Sequence, residues 1–168
     1  SEFAVRVASA RAALRNERLD ALILTAQESH YYLTGFDTSG FVFFQCAVLT
    51  ADDSPIVLLT RRPDLEQAKR TSTIDDIRIW YDRQGVDPAQ DLLAILAEKK
   101  LKGARVGIEM RSFGLTADKY ELIRNRLAGW CAGRSPWAAP PPASTASASA
   151  SASSWSRSSA RVSTSCGS

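Results

Sequence analysis

The chain has 168 residues, a formal charge of +3, 45% hydrophobic and 23% charged residues, an ordinary composition for one globular domain with a real core. The charge excess belongs to the end of the chain. With Arg134, Arg157 and Arg161 set aside, residues 1–130 carry equal numbers of basic and acidic groups, which argues against nucleic acid as a partner. No apolar run approaches the roughly eighteen residues of a membrane span, and no charged-then-apolar start marks a signal peptide, so the expectation is a cytoplasmic protein without membrane contact. Cys46, Cys131 and Cys166 have neither metal-ligand nor redox-motif spacing.

In chain order, Phe3, Val7, Ala10 and Leu14 recur at helical steps between Arg6, Arg11 and Arg15, which predicts a helix with one buried stripe and a cationic outer face. Ala21 to Thr25 is a short apolar run without alternation, as suits a strand covered on both faces. Gln27 to Tyr32 is short and polar and predicts a single turn. Gly35 and Gly40 bracket a loop that carries Phe36, Asp37, Thr38 and Ser39, and loops anchored between rigid elements often carry function. Phe41 to Thr50 predicts a long second strand. Ala51 to Pro55 is a turn by composition, and Ile56 to Thr60 a third strand, antiparallel to the second.

Pro63 opens a short helix through Arg70. Asp76 to Trp80 is a fourth strand. Asp87 and Pro88 read as N-cap and first residue of a helix whose apolar face is Leu92, Leu93, Ile95 and Leu96, stopped by Gly103. Arg105 to Glu109 is a further strand, and Thr116 caps a helix with Tyr120, Ile123 and Leu127 on one side. The alternation predicts an α/β layered domain over residues 1–130, with a mixed sheet of about five or six strands flanked by helices. Residues 131–168 hold 13 Ser and 9 Ala with a proline run at Pro140 to Pro142, too few branched aliphatics to offset the entropy of ordering. They are expected to be disordered, either as a flexible linker or as the product of a shifted reading frame.

Chemistry-bearing residues are few. His30 is the single histidine, and one imidazole without an acid cluster cannot build a metal site; a satisfied, partly buried ring is the simpler expectation. Glu28 and Asp37 could pair as acid and base, although two carboxylates at a turn are ordinary surface residues. Ser39 lacks a nucleophile-elbow context. The GARVG of Gly103 to Gly107 enters a strand rather than leaving one and is no phosphate loop. Arg61 and Arg62 could hold a carboxylate or phosphate, or simply cap a hairpin in solvent.

The stretch LDALILTAQESHYYLTGF, after a helix of the RVASARAALRNERLD kind and before an apolar strand, resembles the amino-terminal domain of the creatinase/prolidase family, which includes Xaa-Pro dipeptidases, aminopeptidase P, creatinase and ectoine hydrolase. SPIVLLTRR, DDIRIWYD, DLLAILAEKKLKGARVGIEM and LTADKYELIRNRL fit its later elements, and the resemblance spans about residues 3–128. It implies a ribonuclease H-like fold and a parent enzyme that is a homodimer. It also implies a separate carboxy-terminal catalytic domain, absent here, which in metal-dependent members holds two divalent ions (Mn, Co or Zn) on two Asp, one His and two Glu. The chain itself is then expected to be non-catalytic and to hold no cofactor or metal. By position, the loop of Phe36, Asp37, Thr38 and Ser39 would reach the partner subunit's active site, with His30, Tyr32, Arg61 and Arg62 as possible substrate-edge contacts. The loop lacks the Trp or His common in prolidases, which leaves room for a small amide of the ectoine or creatine kind. Two other classes fit the residues: a stand-alone small-molecule-binding domain and a self-association module.

Overall fold

The computed structural model describes residues 1–130 and the backbone of residues 160–165. Helix α1 (Glu2–Asn16) leads into β1 (Ala21–Leu24), α2 (Gln27–Thr34), β2 (Cys46–Thr50), β3 (Val57–Arg61), α3 (Leu65–Thr71), β4 (Asp76–Trp80), α4 (Pro88–Glu98), β5 (Arg105–Glu109), α5 (Ala117–Trp130) and β6 (Ala160–Ser165). The strands form one sheet in the order β4-β3-β2-β1-β5-β6. β1 runs parallel to β5, and β3 parallel to β4; β2 is antiparallel to both β1 and β3. Four strands therefore point the same way, and their carboxyl ends share one edge with the start of β2.

The unbroken apolar runs arise because the sheet is covered twice. Ala21 and Ile23 face a core made with Leu92, Leu96, Ile123 and Leu127 of α4 and α5. Leu22 and Leu24 face a second core made with Leu14, Leu33 and Ala68 of α1, α2 and α3. Cys46 and Val48 alternate with Ala47 and Leu49 in the same sense, so every residue of these strands is buried. Period-two alternation survives in space, but both faces are dry. Truncating a fully buried member such as Leu58 would cost about 2–5 kcal/mol. Asp87 caps α4 as its sequence requires, accepting from Ala89 N at 3.0 Å.

Three local expectations are corrected. Gln27–Thr34 is a two-turn helix rather than a single turn: Ser29, His30, Leu33 and Thr34 are buried, and Gly35 ends it in the left-handed region at φ 80°. The second strand is confined to Cys46–Thr50, because Gly40–Val42 forms a 3₁₀ turn and Phe43 to Gln45 is held by side chains rather than by a neighbouring strand. Of the segment expected to be disordered, Ala160–Ser165 instead pairs antiparallel with β5, using the edge that β1 leaves open and a stretch containing the β-branched Val162 and Thr164. Residues 131–159 and 166–168 of that segment lie outside the described residues. No described helix is long and apolar enough to cross a membrane.

Candidate functional site

Along the shared edge, the loop from Phe36 to Gln45 lies over the carboxyl ends of β1 and β3. Backbone groups in such a stretch need partners, and here they find side chains. The Lys119 ammonium of α5 donates to the carbonyls of Phe41 (3.4 Å), Val42 (2.9 Å), Phe43 (2.8 Å) and Gly114 (2.7 Å). The Trp80 indole donates to the Phe44 carbonyl at 2.9 Å. Partial burial disfavours the charged form of Lys119 and lowers its pKa.

The loop's start is tied to β3 through Asp64, which accepts from the Thr38 hydroxyl at 3.0 Å and faces Arg61 Nε at 3.7 Å. Gly40 is required by that carboxylate: a Cβ there would stand 2.5 Å from Asp64 Oδ1. The Arg61 guanidinium lies 3.4 Å from the centroid of the Phe43 ring, a cation–π stack, and 3.8 Å from Asp82. The outcome is a braced tip with two apolar side chains in solvent, Val42 at 60% and Phe43 at 38% exposure.

Beneath the loop runs a buried polar relay. Gln45 donates to His30 Nδ1 and to Gln27 Oε1, both at 3.2 Å, and accepts from Thr60 Oγ1 at 3.1 Å; His30 Nε2 meets the Leu24 carbonyl at 3.2 Å. Both ring nitrogens are used, which fixes the tautomer with the proton on Nε2. Burial pushes the His30 pKa from 6.5 down to about 4, so the ring is neutral at physiological pH.

At the carboxyl ends of β1 and β5 the edge opens into a cleft of about 870 Å³ lined by Arg6, Glu28, Ser29, Tyr31, Tyr32, Glu109, Arg111 and Phe113 among others. Its floor is Glu109. One carboxylate oxygen accepts from Thr25 N (3.0 Å) and Ala26 N (2.9 Å), the other from the Ser29 hydroxyl (2.6 Å). Ala26 offers no cap of its own, so a strand residue far along the chain caps α2.

The expected site residues thus separate. Tyr32 lines the cleft, with Arg6 stacked 4.5 Å from its ring centroid, while Arg61 and Arg62 stand at the other end of the edge. His30 is corrected: it is 1% exposed with both nitrogens engaged and reaches no ligand. Phe36 is corrected as well, being fully buried in the α1–α3 core, and Thr38 is buried on Asp64. Asp37, Ser39 and Arg62 are exposed. Glu28 lines the cleft and Asp37 does not, so the suggested acid–base pair is not assembled. Among the described residues no three His, Cys, Asp or Glu side chains gather in a way that could hold a metal ion. Cys46 is buried, and that burial pushes its thiol pKa up to about 12, which makes it inert.

Sequence reasoning missed Glu109 and Lys119, the two residues that organise this edge. Lys119 stands four residues before Ile123 and eight before Leu127, so a charged residue falling on a buried stripe was the available signal. Glu109 is the charged residue that closes the apolar run Val106 to Ile108 of β5, and it lies at the buried end of that strand.

The pattern of the creatinase/prolidase N-terminal domain matches residues 6–132. The chain belongs to that family. An ectoine hydrolase of Halomonas elongata is 30% identical over 148 residues, covering 77% of this chain and 37% of the relative. The creatinase/prolidase N-terminal domain of an X-Pro dipeptidase from Streptococcus pyogenes superposes with a TM-score of 0.60 at 17% identity, covering 74% of this chain and 88% of that one. Dipeptidase PepE from Mycobacterium ulcerans gives 0.57 at 25% identity, over 76% of this chain and 32% of that one. The chain therefore spans about a third of the length of the full-length relatives it matches. As in those creatinase/prolidase N-terminal domains, a mixed sheet lies between helical layers.

Proposed function

We propose that this chain is the non-catalytic amino-terminal part of a hydrolase acting on Xaa-Pro dipeptides or related small amides, and that it lends its 36–43 loop to the active site of a partner subunit in a homodimer. The catalytic domain, with whatever divalent ions it carries, lies outside this chain. The observation that supports the reading is the braced tip: Val42 and Phe43 project into solvent, yet the carbonyls of Phe41, Val42 and Phe43 are all held by Lys119 and the Phe43 ring by Arg61. Ordering such a tip beforehand lowers the entropy cost of closing it over a substrate. With Phe36 buried, Phe43 is the ring this loop can lay against a substrate; Asp37 and Ser39 remain exposed for a cationic or amide group, and Arg62 for a carboxylate.

In the parent enzyme, extended through its catalytic domain, Phe43→Ala is expected to raise KM about tenfold or more, on the order of the loss of a buried aromatic contact, while leaving the unfolding transition in place. Unchanged kinetics in both Phe43→Ala and Asp37→Ala would sink the proposal. The 168-residue chain alone is expected to hydrolyse neither Xaa-Pro dipeptides nor ectoine-type amides.

A further inference from the structure

The cleft at the ends of β1 and β5 has a topological cause. These strands are parallel neighbours, but α2, which follows β1, packs into the core on one face of the sheet, while α5, which follows β5, packs into the core on the other. Chains leaving adjacent strands toward opposite faces part above the sheet, and the crevice between them is where open α/β sheets bind ligands. Its volume of about 870 Å³ lies within the range of small-molecule sites.

The lining selects the ligand. Arg111 is exposed and makes no ion pair or hydrogen bond among the described residues, whereas Arg6 is committed to Glu2, the Tyr32 carbonyl at 3.0 Å and the Tyr32 ring. Glu28 is exposed and likewise has no ion pair among the described residues. Phe113 at 88% and Tyr31 at 58% exposure are large rings left open among the described residues. The amides of Thr25 and Ala26 are taken by Glu109, and that carboxylate together with Glu28 repels a phosphate dianion. Among the described residues, one unpaired cation, one unpaired anion and two exposed aromatic rings match a molecule with both charges and an apolar body.

We propose that this cleft binds a small zwitterion of the amino-acid class, its carboxylate on Arg111, its ammonium on Glu28 and its apolar side chain between Tyr31 and Phe113. The site is separate from the 36–43 loop, and its test needs no catalytic domain, so its failure leaves the proposed function standing and the reverse.

The test is titration of the 168-residue chain, followed by nuclear magnetic resonance, with L-phenylalanine, L-phenylalaninamide (no carboxylate) and 3-phenylpropionate (no ammonium). L-phenylalanine is expected to bind tightest and to shift the resonances of Arg111, Tyr31 and Phe113. Arg111→Ala should weaken L-phenylalanine and 3-phenylpropionate about tenfold or more and leave the amide unchanged, with Glu28→Gln doing the converse to the amide. Both positions are exposed, so both variants keep the wild-type unfolding transition. No binding by any probe, equal binding by all three, or wild-type affinity in Arg111→Ala overturns the assignment.

Discussion

The two ends of this sheet edge solve one problem with opposite charges. Above β1 and β5, backbone donors at the start of α2 converge on an anion, Glu109; above β2, backbone acceptors of residues 41–43 converge on a cation, Lys119. Neither stretch has a strand beside it to complete a ladder, so a single charged side chain from a distant element stands in for one. The difference is in what is left outside. The anion lies at the bottom of an open cleft, whereas the cation backs a filled loop whose apolar tip projects.

Glu109→Ala is expected to produce the largest effect, because it strands two buried N–H groups and a hydroxyl at once: about 3–5 kcal/mol lost in urea unfolding, against less than about 0.5 kcal/mol for Arg111→Ala at the rim of the same cleft. A loss from Glu109→Ala no larger than that from Arg111→Ala would break the comparison at its anionic end. The relay between the two ends gives the next effect. His30 stays neutral in the fold while the unfolded chain takes up a proton near 6.5, so the contribution of the neutral ring is complete above that pH. It is lost as pH falls toward about 4. At about 1.4 kcal/mol per pH unit, the loss is about 3 kcal/mol. His30→Gln should flatten the difference in stability between pH 7 and pH 5, measured against wild type so that the carboxylates cancel. Lys119→Met is expected to cost less than either, about 2 kcal/mol, since the freed carbonyls of the exposed tip can turn to water. Its signature is local: faster amide exchange across Gly40 to Gln45 with α4 and β5 unchanged. Uniform loosening of the whole domain would deny Lys119 a specific hold on the loop.

What could be read from the sequence follows from the same contrast. β4 and β5 lie at the residues expected, and α4 begins at Asp87 and Pro88 as their chemistry dictates, because apolar pattern and capping residues are local. α2 was read as one turn because its cap comes from β5, and β2 was read as too long because the forces that bend Phe41 to Gln45 away from the sheet come from α5 and β4. The candidate site was legible only in outline. That a loop runs between β1 and β2 followed from Gly35, Gly40 and the strand ends, but exposure did not: Phe36 and Phe43 are the same residue type on the same loop, and only the fold buries one and bares the other.

The reach of Glu109 also bears on how the polypeptide acquires its shape during synthesis. Ser29 and its capping carboxylate are 80 residues apart, so α2 leaves the ribosome long before the group that holds its first turn exists. The amino-terminal half must therefore wait, with its helix unpinned, and a nascent chain arrested before β5 should present protease-sensitive peptide bonds around residues 25–30 that the finished domain conceals.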